Sequence, residues 1–293
     1  MIEPFGAGGG PDVVARVVAT KLSALWGQPV IVENHPGDRS TLAPSLVARS
    51  AADGHTLLIS TSAQAYSAAF AENLPYHPLN DFIPAAALTS QPYVLIATTS
   101  SGIVSLSQLI TAAKAKPGEL KFGSTGIGTG SHLGGEKLAL AAGFKAQHVP
   151  AGPGDSIADV IADTVRGRTT YLIAPIPTAL DDIHTNRVHP LGVTTMKRSP
   201  LLPEVPTIAE AGVPGFDFPI WYGAWVPAGT SAEIIEKIEA GIARALSAPD
   251  VIARLAHHGA EPMRMTQAEF ATFVRREAET AARIVTAVGI QLG

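Results

Sequence analysis

The sequence predicts an α/β protein of two domains in which helices flank mixed, mostly parallel sheets. Short apolar segments rich in β-branched residues alternate with amphipathic helical segments along the chain, the pattern of strand–helix–strand units. Two similar glycine-rich loops, far apart in sequence, each lead into a helical segment. The length of 293 residues corresponds to about two domains of roughly 150 residues each.

Composition excludes several classes of protein. Charged residues make up 16% and hydrophobic residues 46% of the chain, which argues against disorder. The 21 basic and 25 acidic residues form no strongly basic surface, so no nucleic-acid partner is expected. No run approaches about 18 apolar residues, so no membrane span is expected. The absence of cysteine excludes disulfides, thiolate metal sites and cysteine nucleophiles.

Loop one, residues 4–12, reads PFGAGGGPD, and four of its nine residues are glycine. Pro11 suits the first turn of a helix, and apolar residues at helical spacing follow from Val13. A glycine loop that leads into a helix N-terminus can bind an anion, because unpaired N–H groups and the helix dipole both favour negative charge. A tight turn without a ligand fits the loop equally well.

Loop two, residues 122–132, reads FGSTGIGTGSH and has the same character. It follows a short apolar stretch, opens an apolar helical pattern and carries several hydroxyl groups. Two such loops suggest two domains that each direct a helix N-terminus at one cleft.

The remaining elements follow from caps, glycines and prolines. In the first domain we predict strands at 29–33, 56–60 and 93–98 and a helix at 42–52. In the second we predict strands at 120–123, 146–149, 170–174 and 191–194, with helices at 105–116, 156–165 and 178–185. A strand at 220–226 returns the chain to the first domain. Capping boxes at Thr230/Glu233 and Thr266/Glu269 predict two long C-terminal helices, with a shorter one at 251–258 between them. The predicted domains are 1–98 plus 225–293, and 99–224, with a ligand cleft between them.

Several stretches together resemble a known family. PFGAGGGPD, GSTGIGTGSHL, KRSPLLPEVPTIAEAGVPGF, WYGAWVPAGT and LAHHGAEP are similar to the Bug-type proteins, the substrate-binding components of tripartite tricarboxylate transporters. The resemblance implies a periplasmic-binding-protein fold, two α/β domains joined by crossing strands that close on a small organic carboxylate. It also implies a periplasmic, non-enzymatic, monomeric protein without cofactor or metal that serves membrane transporter subunits. The chain begins without a secretory signal and with a short first strand, so we expect a trimmed or late start.

Carried over residue by residue, the resemblance gives a set of candidate ligand-binding positions. They are Phe5, Gly8, Gly9, Gly10, Asp12, Ser62, Thr125, Gly126, Thr129, Ser131, His132 and Ala174. The chain departs from the family pattern at Asp38-Arg39, where small residues are common, at 151–153, where Tyr-Lys-Gly is frequent, and at Ala174, where an aspartate is frequent. These departures indicate an uncommon ligand.

Three charged or titratable candidates have alternative interpretations. Asp12 either complements the helix dipole or binds a ligand amine or bridging waters. His132 is either a structural hydrogen-bonding residue or, when protonated, a carboxylate contact. Arg39 is either a solvated loop charge or a bidentate partner of a ligand carboxylate.

The alternative function is that of a nucleotide-cofactor-dependent enzyme. Loop one opens a helix, and Glu33 ends the next predicted strand near the position of a ribose-binding acid. Against this, Pro11 occupies the third glycine position and the first strand is very short. A ligand-presenting sensor component is also compatible with the same chemistry. No G-x-S-x-G elbow is present, and the histidine spacings match no metal motif.

Overall fold

The computed structural model describes residues 1–37, 40–152 and 156–290. The chain divides into two compact units. Unit one contains residues 1–90 and 221–286 together with Ile290, and unit two contains residues 91–220 and 287–289. The chain passes between units at 90/91 and 220/221, eight and four residues before the predicted boundaries at 98/99 and 224/225, and again at 286/287 and 289/290. Asp38 and Arg39, where the sequence departs from the family pattern, and Pro153 of the departure at 151–153 lie outside the described residues.

Unit one is built on a sheet of six strands. Its strands are β1 (Ile2–Glu3), β2 (Glu33–Asn34), β3 (Leu58–Thr61), β4 (Phe82–Gln91), β10 (Ile220–Pro227) and β11 (Glu261–Pro262). Their order across the sheet is β11-β4-β10-β3-β1-β2. β1 runs parallel to both β2 and β3, whereas β10 runs antiparallel to β3 and β11 antiparallel to β4.

The helices of unit one lie after its parallel strands β1, β2 and β3 and in the C-terminal segment of the chain. They are α1 (Gly10–Trp26), α2 (Leu42–Ala48), α3 (Ala63–Tyr66), α8 (Ala232–Leu246), α9 (Pro249–His257) and α10 (Gln267–Val288), with a 3-10 segment at Ser67–Asn73. Trp221 and Trp225 of β10 are buried and pack against Phe270 of α10, with ring centroids 5.8 Å apart in both pairs. These tryptophans therefore belong to the core of unit one.

Unit two is built on a sheet of five strands. They are β5 (Tyr93–Thr98), β6 (Lys121–Ser124), β7 (Gln147–Pro150), β8 (Tyr171–Pro175) and β9 (Val188–Val193), in the order β7-β6-β8-β5-β9. β6 is parallel to β7 and β8, and β5 is antiparallel to β8 and β9. Its helices are α4 (Leu106–Ala115), α5 (Gly130–Ala142), α6 (Ile157–Val165) and α7 (Ile176–His184), with a 3-10 turn at Thr99–Ser101. The prediction of an α/β protein with mixed sheets and flanking helices is confirmed.

Two local predictions are wrong, and one strand lacks a prediction. The strand predicted at 29–33 is reduced to the two residues of β2, because its partner β1 is itself only two residues long and ends before Pro4. The predicted cap Thr230 lies one residue too early. Ser231 caps α8 by accepting from the N–H of Ile234, while the Thr230 hydroxyl donates to the carbonyl of Pro227. The ten-residue strand β4 was not predicted, because its alanines and Pro84 carry a weak strand signal.

Among the described residues, none of the helices combines the length and the apolar character needed to span a bilayer.

Candidate functional site: two glycine loops

Loop one lies at the carboxyl end of β1 and leads directly into α1. Gly8 has a φ of 84°, in the left-handed region, and Gly9 is the extended N-cap residue of α1. The backbone from Gly6 to Gly10 is exposed. The first N–H groups of a helix have no acceptor within the helix, so Gly10 and Asp12 carry first-turn donors without an intrahelical acceptor, whereas Pro11 has no N–H.

The Asp12 side chain is directed into the protein. It is only 3% exposed, and its carboxylate accepts hydrogen bonds from the N–H of Gly8 (2.9 Å), Nε of Arg16 (2.9 Å) and Nδ2 of Asn34 (2.8 Å). Burial alone would raise the pKa of Asp12, but these hydrogen bonds and the Arg16 charge outweigh it and hold the pKa below its usual value. Asp12 is therefore an ionised carboxylate whose lone pairs are already engaged.

A cluster of polar side chains, in which Glu3 and Asp12 are buried and Arg16 is exposed, supports loop one. The Nη2 of Arg16 donates to Oδ1 of Asn34 at 2.7 Å, which fixes the orientation of that amide. Asn34 then donates to Asp12 and also to the Glu3 carboxylate. Glu3 in turn accepts the N–H of Phe5 at 3.1 Å, so the predicted residue Phe5 is held by its backbone.

Ser62 lies at the same edge of the sheet as loop one. β1 and β3 are parallel neighbours, so the segments that follow them leave the sheet on the same side. Ser62 follows β3, is 1% exposed, and donates its N–H to the carbonyl of Trp221 at 2.8 Å. Its backbone position is therefore fixed beside the predicted site, and its side chain is buried.

Loop two lies at the carboxyl end of β6 and leads into α5. Gly128 has a φ of 80°, and Thr129 is the extended N-cap residue. Gly130, Ser131 and His132 form the first turn of the helix and carry N–H groups without an intrahelical acceptor. The Tyr93 side chain packs directly on this turn, because a Cβ on Gly130 would collide with the Tyr93 hydroxyl.

The hydroxyl groups of loop two form a connected network. The Thr129 hydroxyl donates to the carbonyl of Gly126 at 2.7 Å, so its proton is already used. Ser131 Oγ accepts the N–H of Thr125 and lies 3.3 Å from Thr125 Oγ1 and 3.1 Å from Thr129 Oγ1. When Ser131 donates its proton to Thr125, the half-buried Thr125 hydroxyl is available to donate to a ligand oxygen.

His132 is a buried neutral base. It is 2% exposed, and its Nδ1 accepts the N–H of Gly128 at 3.0 Å. Its ring stacks on that of His148 with centroids 3.8 Å apart, and on Phe122 at 6.1 Å. Burial, together with the neighbouring His148, lowers the pKa of His132 to about 3, and burial lowers the pKa of His148 to about 4. His132 is therefore uncharged at neutral pH.

Ala174 is placed differently from the loop residues. It lies near the end of β8, next to β6, but it is fully buried in the hydrophobic core of unit two and paired with Val94 of β5. Its methyl group therefore packs inside the unit, although the strand end itself lies at the same edge as loop two. Its predicted contact with a ligand stays a prediction.

Several residues that shape the loops were not among the predicted site residues. Glu3, Arg16 and Asn34 hold loop one, and His148 holds loop two through a 2.6 Å contact between its Nε2 and Ser124 Oγ. Only Arg16 carries a local signal, since it lies one helical turn after Asp12. Glu3 directly precedes loop one on β1, whereas Asn34 and His148 reach the loops from the neighbouring strands β2 and β7. Within the described residues, no group of three or more His, Cys, Asp or Glu side chains is arranged to hold a metal ion.

Known proteins resemble the chain over its whole length. The family model described as "Tripartite tricarboxylate transporter family receptor" matches residues 14–290. Protein BugT of Bordetella pertussis is 33% identical over 295 residues, covering 100% of this chain and 89% of BugT. A UPF0065 protein from the tcbD-tcbE intergenic region of Pseudomonas sp. strain P51 is 38% identical over 260 residues, covering 88% and 76% of the two chains.

Solved structures show the same similarity in three dimensions. Rhodopseudomonas palustris Rpa4515 with adipate has a TM-score of 0.86 at 31% identity, covering 99% of this chain and 96% of that one. MatC of Rhodopseudomonas palustris with bound malate has a TM-score of 0.83 at 30% identity, covering 97% of each chain. The periplasmic-binding-protein fold implied by the resemblance is thereby confirmed. The chain belongs to the tripartite tricarboxylate transporter receptor family, the Bug-type solute-binding proteins.

Proposed function

We propose that this protein is a periplasmic solute-binding protein that captures a small organic carboxylate and delivers it to the membrane subunits of a tripartite tricarboxylate-type transporter. In this proposal it acts as a monomer and catalyses no reaction. The observation that carries the proposal is the pair of glycine loops, one in each unit, each of which ends in a helix N-terminus whose first N–H groups have no acceptor within the helix. The relatives with bound adipate and malate support a carboxylate as the ligand.

The two loops are unequal as carboxylate-binding elements. Loop two offers three first-turn N–H groups and an adaptable hydroxyl, and its buried histidines are neutral. Loop one offers one N–H fewer, because of Pro11, and contains the ionised Asp12, whose charge is balanced by Arg16. We therefore propose that loop two binds the principal carboxylate, and that loop one binds the second polar group of the ligand.

Isothermal titration calorimetry with a panel of ligands tests the proposal. The panel contains adipate, malate, citrate, aspartate, benzoate and NADH. We expect one class of acid to bind and NADH not to bind. In a separate denaturation experiment, that acid at 100 times its dissociation constant should add about 2.7 kcal/mol to the free energy of unfolding. Binding of NADH alone would instead support the alternative enzyme.

A matched pair of variants tests the role of loop two. We expect loop two to accept proline at the second position of its helix, because the equivalent position in loop one is occupied by Pro11. Ser131→Ala removes only the hydroxyl, whereas Ser131→Pro also removes the N–H. We expect Ser131→Pro to bind the acid about tenfold more weakly than Ser131→Ala, the effect of one lost hydrogen bond to a charged group. Equal affinities, with both variants folded by circular dichroism, would contradict a carboxylate contact at this N–H.

A further inference from the structure

Loop one and loop two have nearly the same backbone where they enter their helices. Gly8 and Gly128 have φ values of 84° and 80°. The N-cap residues Gly9 and Thr129 have φ and ψ of −73° and 169°, and −75° and 165°. The first helical bonds are also equivalent, from Val13 to the carbonyl of Gly9 at 3.0 Å and from Leu133 to that of Thr129 at 2.9 Å. The two segments therefore form one structural motif used twice.

Each copy of the motif contains the same hydrogen bond from a glycine to a side chain. The N–H of Gly8 donates to Oδ2 of Asp12 at 2.9 Å, and the N–H of Gly128 donates to Nδ1 of His132 at 3.0 Å. The acceptor in both cases is the residue four positions later, at the third position of the helix. A carboxylate and an imidazole, which are chemically unlike, thus occupy equivalent positions and accept equivalent hydrogen bonds.

The two acceptors are themselves fixed and removed from solvent. Arg16 and Asn34 hold the Asp12 carboxylate, and the rings of Phe122 and His148 hold the imidazole of His132. Asp12 is 3% and His132 2% exposed, so neither side chain is presented to a solute. Their effect on binding must therefore pass through the backbone of the loop.

We infer that Asp12 and His132 are equivalent positioning residues, which hold the left-handed glycine of each loop so that the first-turn N–H groups point at the ligand. The inference rests on the proposed function for its ligand, but the hydrogen bonds themselves are a property of the free protein. It replaces the interpretations of Asp12 as a partner of a ligand amine and of His132 as a charged carboxylate contact.

The repeated motif supplies its own conservative variant. Asp12 shows that a short side chain with an oxygen acceptor reaches the glycine N–H from this position. His132→Asn should therefore keep an acceptor for Gly128, whereas His132→Leu keeps apolar volume and removes the acceptor. Asp12→Asn is the reciprocal control, because it leaves loop two unchanged.

The test combines amide hydrogen exchange, measured by NMR on the free protein, with calorimetric titration of adipate. In His132→Leu we expect the Gly128 amide to exchange at least about tenfold faster while Gly8 is unchanged, and adipate to bind about tenfold more weakly. In His132→Asn we expect protection of Gly128 and affinity within about threefold of the wild type. In Asp12→Asn the hydrogen-exchange rate of the Gly128 amide should equal that of the wild type.

Two results would overturn the inference. One is unchanged Gly128 exchange in folded His132→Leu, and the other is an equal loss of adipate affinity in His132→Asn and His132→Leu while Asn protects Gly128. If wild-type protein binds neither adipate nor any other acid of the panel, the proposed function fails, and the exchange measurement still decides whether the two residues hold their loops.

Discussion

Glu3 is a fully buried acid that lies directly before loop one on β1. Burial raises its pKa to about 7, although the N–H of Phe5 and the amide of Asn34 donate to it and lower the pKa. Asp12 raises the pKa further and Arg16 lowers it. The folded protein consequently holds a proton on Glu3 in a pH range where the unfolded chain has released it.

This shift predicts a pH-dependent contribution to stability. Because the folded pKa lies above the unfolded value of 4.5, the contribution is fully present below pH 4.5 and is lost as the pH rises through about 7. Relative to Glu3→Gln, we expect the wild type to lose roughly 3 kcal/mol of unfolding free energy over this range. Urea denaturation of both proteins from pH 4.5 to 7.5 measures the difference. A difference that does not change with pH would show that Glu3 titrates normally.

At the scale of single elements, helix α8 depends on a glycine for its contact with α1. A Cβ on Gly241 would lie 2.6 Å from Cζ2 of Trp26, inside the contact distance of real side chains. An ordinary glycine-to-alanine change within a helix stabilises by about 1 kcal/mol, but here the indole must move or the helices must separate. We therefore expect Gly241→Ala to destabilise the protein.

The adjacent residue provides the control for this prediction. Ala240 is exposed on the same helix, so Ala240→Gly measures the difference in helix propensity between alanine and glycine without a change in packing. It should lower the free energy of unfolding by about 1 kcal/mol. Thermal denaturation of both variants gives the comparison. A rise in melting temperature for Gly241→Ala would mean that Trp26 has room to adjust.

The elements that could be predicted are those with local signals. Gly27 and Gly143 end helices in the left-handed conformation, and Ser105 and Thr266 begin them with side-chain caps, so α1, α4, α5 and α10 follow from the sequence. Glycine spacing likewise revealed both loops. The residues that hold the loops could not be found in this way. Asn34 and His148 reach them only through the parallel pairing of β2 with β1 and of β7 with β6, which brings together residues distant in sequence.

At the scale of the whole molecule, the buried titratable groups of the two units differ in how they respond to acid between pH 4.5 and 7. In unit two, the pKa values of His132 and His148 lie below the unfolded value of 6.5, so their contribution to stability is present above pH 6.5 and is lost as the pH falls towards 4 and 3. Burial raises the pKa of Glu136, whose carboxylate lies 3.8 Å from Nε2 of His132, so this single group works against the two histidines. In unit one, the contribution of Glu3 to stability grows as the pH falls from 7 to 4.5. The pKa of His258 is lowered, so its contribution to stability decreases over the same range and partly offsets that of Glu3. Acid should therefore weaken unit two more than unit one.

The tryptophans allow the two units to be followed separately. All three, Trp26, Trp221 and Trp225, lie in unit one, whereas circular dichroism reports the helices and strands of both units. At pH 4.5 we expect the urea transition seen by circular dichroism to begin before that seen by tryptophan fluorescence, because unit two unfolds first. At pH 7 the two transitions should lie closer together.

The variant His148→Phe tests whether the histidine pair causes the separation. It keeps an aromatic ring beside His132 but removes one titrating group, so it should narrow the separation between the two transitions at pH 4.5. Transitions that coincide at both pH values would show that the units unfold as one, and that the buried histidine pair does not control the acid stability of unit two.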